Sequence, residues 1–439
     1  MSRISGAEVF GVRVLLLQAP VSIRSPHSKL SPPLGLAYVA QYLIDRGHSI
    51  ELLDLNVTGF NPDRIKSRLK RMRPDLVGVS SHTETYPNAL AIAEIVKEHD
   101  PAVAILFGGP HASILPQEVL AHPAVDYVAI GEGEQTAAEL VQALEGGARR
   151  DALAAIAGLG YKADGEARIN PAREPLDAAD IGRPARQLLS IEFYEDAHNV
   201  LTSRGGCPYR CPFCSASQMW GGRRRMRPVE HIINEIRELV QDYGAERVFF
   251  VDDILTLNAR WLDRLMDAIE DSGLAISWGC ATRVDRVSPQ MLHRMAQTGC
   301  TAIQFGIESG SQEVLDSVKG IRTEDALEAV RAAVAEGINV ACSFMVPFPE
   351  DDEETLAQSF EFMREIQAAG GRLLISMTTP FPGTMYYDQA ESLGVRILSD
   401  DWRMFDCKHV VMETRHLSAE RIESLTEAMA SNLGLSKTA

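Results

Sequence analysis

Basic residues are in short supply. The 439-residue chain sets 43 lysines and arginines against 60 aspartates and glutamates, a formal net charge of −17. A surface of that sign repels nucleic acid and anionic lipid as a whole, so neither is an expected partner. The one basic cluster, Arg223, Arg224, Arg225 and Arg227, fits either a local polyanion patch or salt bridges between domains. Long apolar runs are also missing. Spanning a bilayer takes about 20 apolar residues, and no stretch supplies them. The start, MSRISGAEVFGVRVLLL, does not combine a basic region, an apolar run and a small-residue cleavage site, so it is not read as a secretory signal. A cytoplasmic protein is expected. There thiols stay reduced, and grouped cysteines mean metal or catalysis rather than disulfides. No internal repeat and no low-complexity tract is found, which sets repeat architectures aside.

What is present is a double alternation. Hydrophobic residues at 45% and charged residues at 23% mark a globular chain, long enough for two or three domains. Short apolar runs at 12–17, 49–55, 76–80, 102–107 and 127–130 are separated by helix-period segments such as 35–46. Strands alternating with helices give a parallel, doubly wound sheet, whose ligands lie at the carboxyl ends of the strands. Those ends carry Ser80-Ser81-His82, Gly108-Gly109-Pro110-His111 and Gly131-Glu132-Gly133. Residues 149–196 read as a linker containing a hairpin about Asp164-Gly165. A second alternation has strands at 199–203, 247–252, 275–281, 301–307, 338–345 and 372–378. Six parallel units suit a partial (β/α)6 barrel with its active site at the strand carboxyl ends. The expected α/β organisation is a Rossmann-like domain over 1–148, the linker, a barrel over 197–390, and an unpatterned C-terminal segment over 391–439 that would cap it.

Chemistry concentrates after the first barrel strand, in Arg204-Gly-Gly-Cys207-Pro-Tyr-Arg-Cys211-Pro-Phe-Cys214. Soft thiolate sulfur selects zinc or iron–sulfur. A structural zinc site would want a fourth ligand at finger spacing, and Cys280, Cys300, Cys342 and Cys407 are isolated. Three ligands suit a [4Fe–4S] cluster with one iron left open. This C-x3-C-x-aromatic-C motif resembles the signature of radical S-adenosylmethionine (SAM) enzymes. The resemblance implies that the open iron takes the amino and carboxylate groups of SAM, which the reduced cluster cleaves to a 5′-deoxyadenosyl radical. It also implies an electron donor such as a flavodoxin or ferredoxin. By the same resemblance Phe213 lies near the adenine, Asp252 and Asp253 near the SAM amino group, Arg283 at its carboxylate and Glu308 at the ribose. Asp253 as a helix cap and Arg283 as a partner of Asp285 are the structural alternatives. Val346-Pro347 departs from the glycine the family often has after the fifth strand.

The pairing of a doubly wound domain with such a barrel, and the segments Pro32-Pro-Leu-Gly-Leu36, Gly108-Gly-Pro-His111 and Gly131-Glu-Gly-Glu134, resemble the cobalamin-binding radical SAM family. Cobalamin would then lie against Ser80, Ser81, His82, Gly108, Gly109, His111, Gly131, Glu132 and Gly133. The D-x-H-x-x-G motif that brings a histidine to cobalt in other cobalamin proteins is missing. His82 either approaches the corrin or is a hydrogen-bonded loop histidine. The resemblance implies methylation of an unactivated carbon of a small molecule, using the 5′-deoxyadenosyl radical and methylcobalamin. The alternatives are cyclisation, ring contraction or sulfur insertion with the same cofactors, as in the anaerobic magnesium-protoporphyrin monomethyl ester cyclase branch, and a non-catalytic cobalamin sensor or carrier. Cys407, in an aromatic-rich stretch, is either a hydrogen or sulfur donor or a small buried hydrophobe.

Overall fold

The computed structural model describes residues 11–22, 30–194 and 198–434. The first ten residues, positions 195 and 196 of the expected linker, and 435–439 of the expected C-terminal segment lie outside the described residues. The chain divides into two compact units on either side of the 197/198 boundary.

Seven strands make the first sheet: β1 (Arg13–Gln18), β2 (Ser49–Asp54), β3 (Leu76–Ser80), β4 (Ala104–Gly108), β5 (Tyr127–Ala129), β6 (Leu159–Ala163) and β7 (Glu166–Ile169). Their order is β2-β1-β3-β4-β5-β6-β7, and β1 to β5 run parallel. Val14, Leu15, Leu16, Leu17, Val77, Ile105 and Phe107 are buried. Strands covered on both faces cannot alternate polar with apolar, hence the unbroken apolar runs. The order reverses between β1 and β3, which opens a crevice at their carboxyl ends. The hairpin expected in the linker is instead the antiparallel edge of this sheet, with β6 paired to β5. Its turn is Asp164-Gly165, both at positive φ (58° and 80°), which matches the right-handed twist of the two strands.

The second unit holds β8 (Asn199–Val200), β9 (Ser203–Arg204), β10 (Arg225–Met226), β11 (Arg247–Phe250), β12 (Ser277–Arg283), β13 (Cys300–Glu308), β14 (Asn339–Val346) and β15 (Arg372–Met377). Six of them form one parallel sheet, β15-β14-β13-β12-β11-β8, while β9 and β10 pair antiparallel beside it. Helices between the strands start and stop where their chemistry dictates. Ser288 accepts the Met291 N–H, Pro289 follows at the first helical position, and Gly299 (φ 92°) ends the turn. Helix Ala259–Asp271 buries Trp261, Leu262, Leu265, Met266 and Ile269 on one face. The C-terminal segment, unpatterned in sequence, contains β16 (Arg396–Ile397) paired to β17 (Met412–Glu413) and helix Ala419–Asn432. Leu417, Ile422, Met429 and Leu433 share the barrel's hydrophobic core. Among the described residues no helix is long and apolar enough to cross a membrane.

Candidate active site

The loop carrying the three cysteines can be built only with glycine at its entry. Gly205 has φ 101°, and a Cβ there would lie 2.0 Å from the Arg223 carbonyl oxygen. Gly206 has φ 67°, and a Cβ would lie 2.8 Å from the Ala216 oxygen and 2.9 Å from Trp220 Cβ. Both the dihedral and the space therefore exclude a side chain. Beneath this entry Asp252 is buried and turned into the protein. It accepts the Thr202 N–H (2.9 Å) and the Ser203 hydroxyl, and pairs with Arg224 at 3.4 Å. Arg224 in turn donates to Ser203 Oγ and the Ile254 carbonyl. In this arrangement the Asp252 carboxylate anchors the loop, since a buried charge must be matched by buried donors. Arg224 and Arg227 of the arginine cluster find partners inside this unit, Arg227 in Glu235 (2.8 Å) and the Leu201 carbonyl.

Cys207, Cys211 and Cys214 are half-buried and unoxidised. Burial pushes all three thiols up, Cys214 to about 11, and neighbouring thiols add to the shifts of Cys207 and Cys214. Lys319 and Arg283 act in the opposite direction on Cys211. No three His, Cys, Asp or Glu side chains among the described residues are arranged to hold a single metal ion. Three soft thiol sulfurs in one loop are the donor set that an iron–sulfur group takes. Binding any such group must displace the protons that burial keeps on the thiols. Asp253 is exposed and acts electrostatically on Cys207 and Cys214; desolvation, then the neighbouring Asp252, push its pKa up.

The ends of β12 and β13 supply the other charges. Arg283 is bidentate to Asp285 (2.8 and 3.1 Å) and donates to the Lys319 carbonyl. Its expected fork is thus already filled by the structural alternative. The guanidinium also stacks 4.0 Å over the Tyr209 ring, between Cys207 and Cys211 in the loop. Glu308 ends β13 at φ 81°, where the β13–β14 register shifts, and accepts Lys319 Nζ at 2.7 Å. A bulge beside a site re-aims a side chain. Gly306 leaves the room for this pair: a Cβ would lie 2.5 Å from Glu308 Oε1 and 2.7 Å from Lys319 Nζ. Phe213 packs against Phe348, ring centroids 5.6 Å apart. Cys407 is half-buried at φ 62°, and its carbonyl accepts the Met377 N–H at the end of β15. Cys280, Cys300 and Cys342 are buried. Lys319 and Tyr209 carried no sequence signal beyond their types, because their partners lie 11 and 74 positions away.

At the carboxyl edge of the first sheet, Gly109 (φ 92°) presses its backbone on β3. A Cβ there would lie 2.6 Å from the Ser81 oxygen and 2.9 Å from Ser80 Oγ. Ser81 N–H donates to the Gly108 carbonyl, and its hydroxyl is buried with no hydrogen-bond partner among the described residues. An orphaned hydroxyl beside a crowded glycine turn is what a polar ligand tail would complete. Ser113, overlooked in the sequence, joins two loops by donating to the Gly109 carbonyl and accepting the Gly131 N–H. Glu132 accepts the Leu176 N–H, and Gly133 begins helix Gly133–Glu145. His111 is buried, stacked on Tyr86 with centroids 4.1 Å apart and bonded to Thr83 Oγ1. His82 is exposed, and no hydrogen bond reaches its imidazole among the described residues.

The same two regions match known families. Residues 28–141 match the B12 binding domain, and residues 201–363 match the radical SAM superfamily. An uncharacterized methyltransferase of Pyrococcus horikoshii is 32% identical, over 94% of this chain and 90% of its own length. The chain belongs to the cobalamin-binding radical SAM enzymes. Its cofactors are accordingly cobalamin, SAM and a [4Fe–4S] cluster. The anaerobic magnesium-protoporphyrin IX monomethyl ester cyclase of Rubrivivax gelatinosus is 25% identical over 87% of this chain and 70% of its own. Among solved structures, the cobalamin-dependent SAM radical enzyme OxsB shares the fold with a TM-score of 0.79 at 19% identity, over 96% of this chain and 66% of that one. The radical SAM methyltransferase TsrM of Kitasatospora setae has a TM-score of 0.73 at 19% identity, over 89% of this chain and 79% of its own.

Proposed function

We propose that this enzyme transfers a methyl group from SAM to an unactivated carbon of a small molecule. The observation that carries the reading is the likeness, through both domains, to the Pyrococcus horikoshii protein named as a methyltransferase. Cys207, Cys211 and Cys214 would hold three irons of the cluster. Asp253, which acts electrostatically on Cys207 and Cys214 and makes no ion pair among the described residues, suits the amino group of SAM better than the bonded Asp252 does. Glu308, paired with Lys319, presents an acceptor to ribose hydroxyls; Phe213 offers an aromatic face to adenine. Arg283 would keep Tyr209 and the cysteine loop in place, or exchange Asp285 for the SAM carboxylate. Ser80, Ser81, His82, Gly108, Gly109, His111, Gly131, Glu132 and Gly133 line the edge that would take cobalamin. When bound, the cofactors supply hydrogen abstraction from carbon and a transferable methyl group. The protein supplies orientation, and an electron donor of the flavodoxin or ferredoxin kind would keep the cluster reduced.

Methyl transfer uses SAM twice, so S-adenosylhomocysteine and 5′-deoxyadenosine should form in equal amounts during turnover. Label from the SAM methyl should enter the product. The cyclase relative supports a second reading, in which the same cofactors close a ring. In that case 5′-deoxyadenosine forms with product while S-adenosylhomocysteine stays at background, and methyl transfer is excluded.

A further inference from the structure

Beside the cysteine loop the second unit opens a groove of about 840 Å3. Met226, Leu257 and Ala259 give it apolar surface, and Arg224, Arg260 and Arg264 give it charge. Arg224 is already committed, bonded to Asp252, Ser203 and the Ile254 carbonyl. Arg260 and Arg264 are not. Both are exposed on helix Ala259–Asp271, and their guanidinium groups make no ion pair or hydrogen bond among the described residues. A carboxylate stands close in sequence, since Asp267 lies three residues beyond Arg264. It turns to Arg294 instead, as does Glu270. Elsewhere on this unit exposed arginines such as Arg396, Arg403 and Arg421 are held by acidic partners. Two bare cations beside apolar surface are unusual on a chain of net charge −17.

The groove shares its wall with the loop that holds Cys207. Gly205 presses on the Arg223 carbonyl, β10 pairs with β9, and the Arg224 guanidinium acts electrostatically on Cys207. We propose that this groove is the docking site of the electron donor, an acidic one-electron carrier protein of the flavodoxin kind. The proposal rests on the [4Fe–4S] assignment and on the need for an external reductant, and is independent of whether methyl transfer is the reaction. The step it serves is one electron transfer. The anionic hydroquinone of the carrier's flavin is oxidised to the neutral semiquinone, the cluster is reduced from [4Fe–4S]2+ to [4Fe–4S]+, and no proton moves. Charge selects this face: the surface as a whole repels an acidic protein, so a local basic patch decides where it lands. An apolar centre rimmed by arginine suits protein contact, where Met and Arg are enriched, and redox encounters need only a small interface. The groove shares no residue with the positions proposed for SAM, so the carrier does not compete with the cosubstrate.

Anaerobic stopped-flow mixing of the reconstituted holoenzyme with a fully reduced, acidic flavodoxin tests this. The readouts are flavin semiquinone absorbance and the electron paramagnetic resonance signal of the reduced cluster. The wild-type rate should fall as salt is raised. Arg260→Glu combined with Arg264→Glu should slow the reaction about tenfold or more, the scale on which steering acts on association. Photoreduced deazariboflavin, a small uncharged donor, should still reduce the cluster of this variant at the wild-type rate. Arg331→Glu combined with Arg372→Glu makes the same change in net charge at exposed positions outside the groove, and should stay within about twofold of wild type. A flavodoxin rate unchanged by the groove reversal, or lowered equally by the control pair, overturns the docking site. A loss shared by deazariboflavin overturns it too, because the damage then lies at the cluster. Should the reversed variant fail to hold iron, Arg260→Gln with Arg264→Gln takes its place, with about threefold slowing expected and an unchanged rate overturning the proposal. A wild-type cluster reduced by deazariboflavin but not by flavodoxin removes the proposal and leaves the cluster assignment standing. A wild-type chain that takes up no iron removes both.

Discussion

The two carboxyl edges are held by different forces. Around the cysteine loop, charge answers charge: Asp252 with Arg224, Arg283 with Asp285, Glu308 with Lys319. At the first sheet's edge the fasteners are neutral, a serine hydroxyl between two glycine loops and glycine backbone pressed on serine. The difference follows from what each would bind. An anionic cluster and a zwitterionic cosubstrate need fixed charges that persist when water is excluded. A large ligand reached by backbone amides and hydroxyls needs close approach instead.

The sharpest way to break this comparison is at the thiols. Cys207→Ala, Cys211→Ala or Cys214→Ala should each lose the cluster entirely, read as iron content and visible absorbance after anaerobic reconstitution, with corrinoid still bound. Cys280→Ala or Cys342→Ala should keep it, at a packing cost alone. A variant of the triad with undiminished iron would remove the assignment.

Next in size are the fasteners themselves. Asp252→Ala leaves the Arg224 guanidinium buried without its carboxylate, a loss of roughly 3–5 kcal/mol. Ser113→Ala, which cuts a neutral link, should cost about 1 kcal/mol. All four tryptophans, Trp220, Trp261, Trp278 and Trp402, lie in the second unit, so their fluorescence in denaturant reports the first of these losses selectively. Equal losses for the two variants would mean that the contrast in forces is illusory.

Gly109→Ala comes third. The positive φ and the 2.6 Å approach to the Ser81 oxygen put its cost at about 1–3 kcal/mol, and the corrinoid should be lost while iron stays. Gly108→Ala is the internal control, since nothing lies within 4 Å of its added Cβ and its φ is ordinary. It should fold as the wild type does, checked by circular dichroism.

Much of this was legible in the sequence because the signals are local. The apolar runs of β1, β3 and β4, the Asp164-Gly165 turn, the Ser288-Pro289 helix start and the cysteine spacing each lie within a few residues. What sequence could not show depends on partners brought together by the fold. Asp252 reads as a ligand until Thr202, 50 positions earlier, is seen donating to it. Arg283 reads equally as a free fork or as a partner of Asp285, and only the fold shows the fork filled by Asp285 and the Lys319 carbonyl. The β6–β7 hairpin reads as linker because β7 is exposed throughout, and only its pairing through β6 to β5 makes it sheet. The C-terminal helix shows little pattern because only Ile422 and Met429 of its residues are buried.

The smallest expected effect is a divergence in acid. In the first unit, burial holds the His111 imidazole at about 4, below its ordinary 6.5. Between those values the unfolded chain binds more protons than the folded one, so stability is lost as pH falls from about 6.5 toward 4. In the second unit, burial raises Asp351 from 3.8 to about 6. There the folded chain binds more protons, so stability is lost in the opposite direction, as pH rises from about 3.8 to 6. One proton gained or lost is worth at most about 1.4 kcal/mol for each pH unit, so between pH 6 and 5 each residue moves its own unit by about 1 kcal/mol. Other groups titrate in the same range, and the variants isolate these two. Relative to wild type, Asp351→Asn should remove a gain on acidification seen by tryptophan fluorescence. His111→Gln should remove a loss seen by hydrogen exchange at the β1, β3 and β4 amides. If both variants shift the same probe in the same direction, the two units do not respond to acid separately, and the contrast between their edges does not extend to their stability.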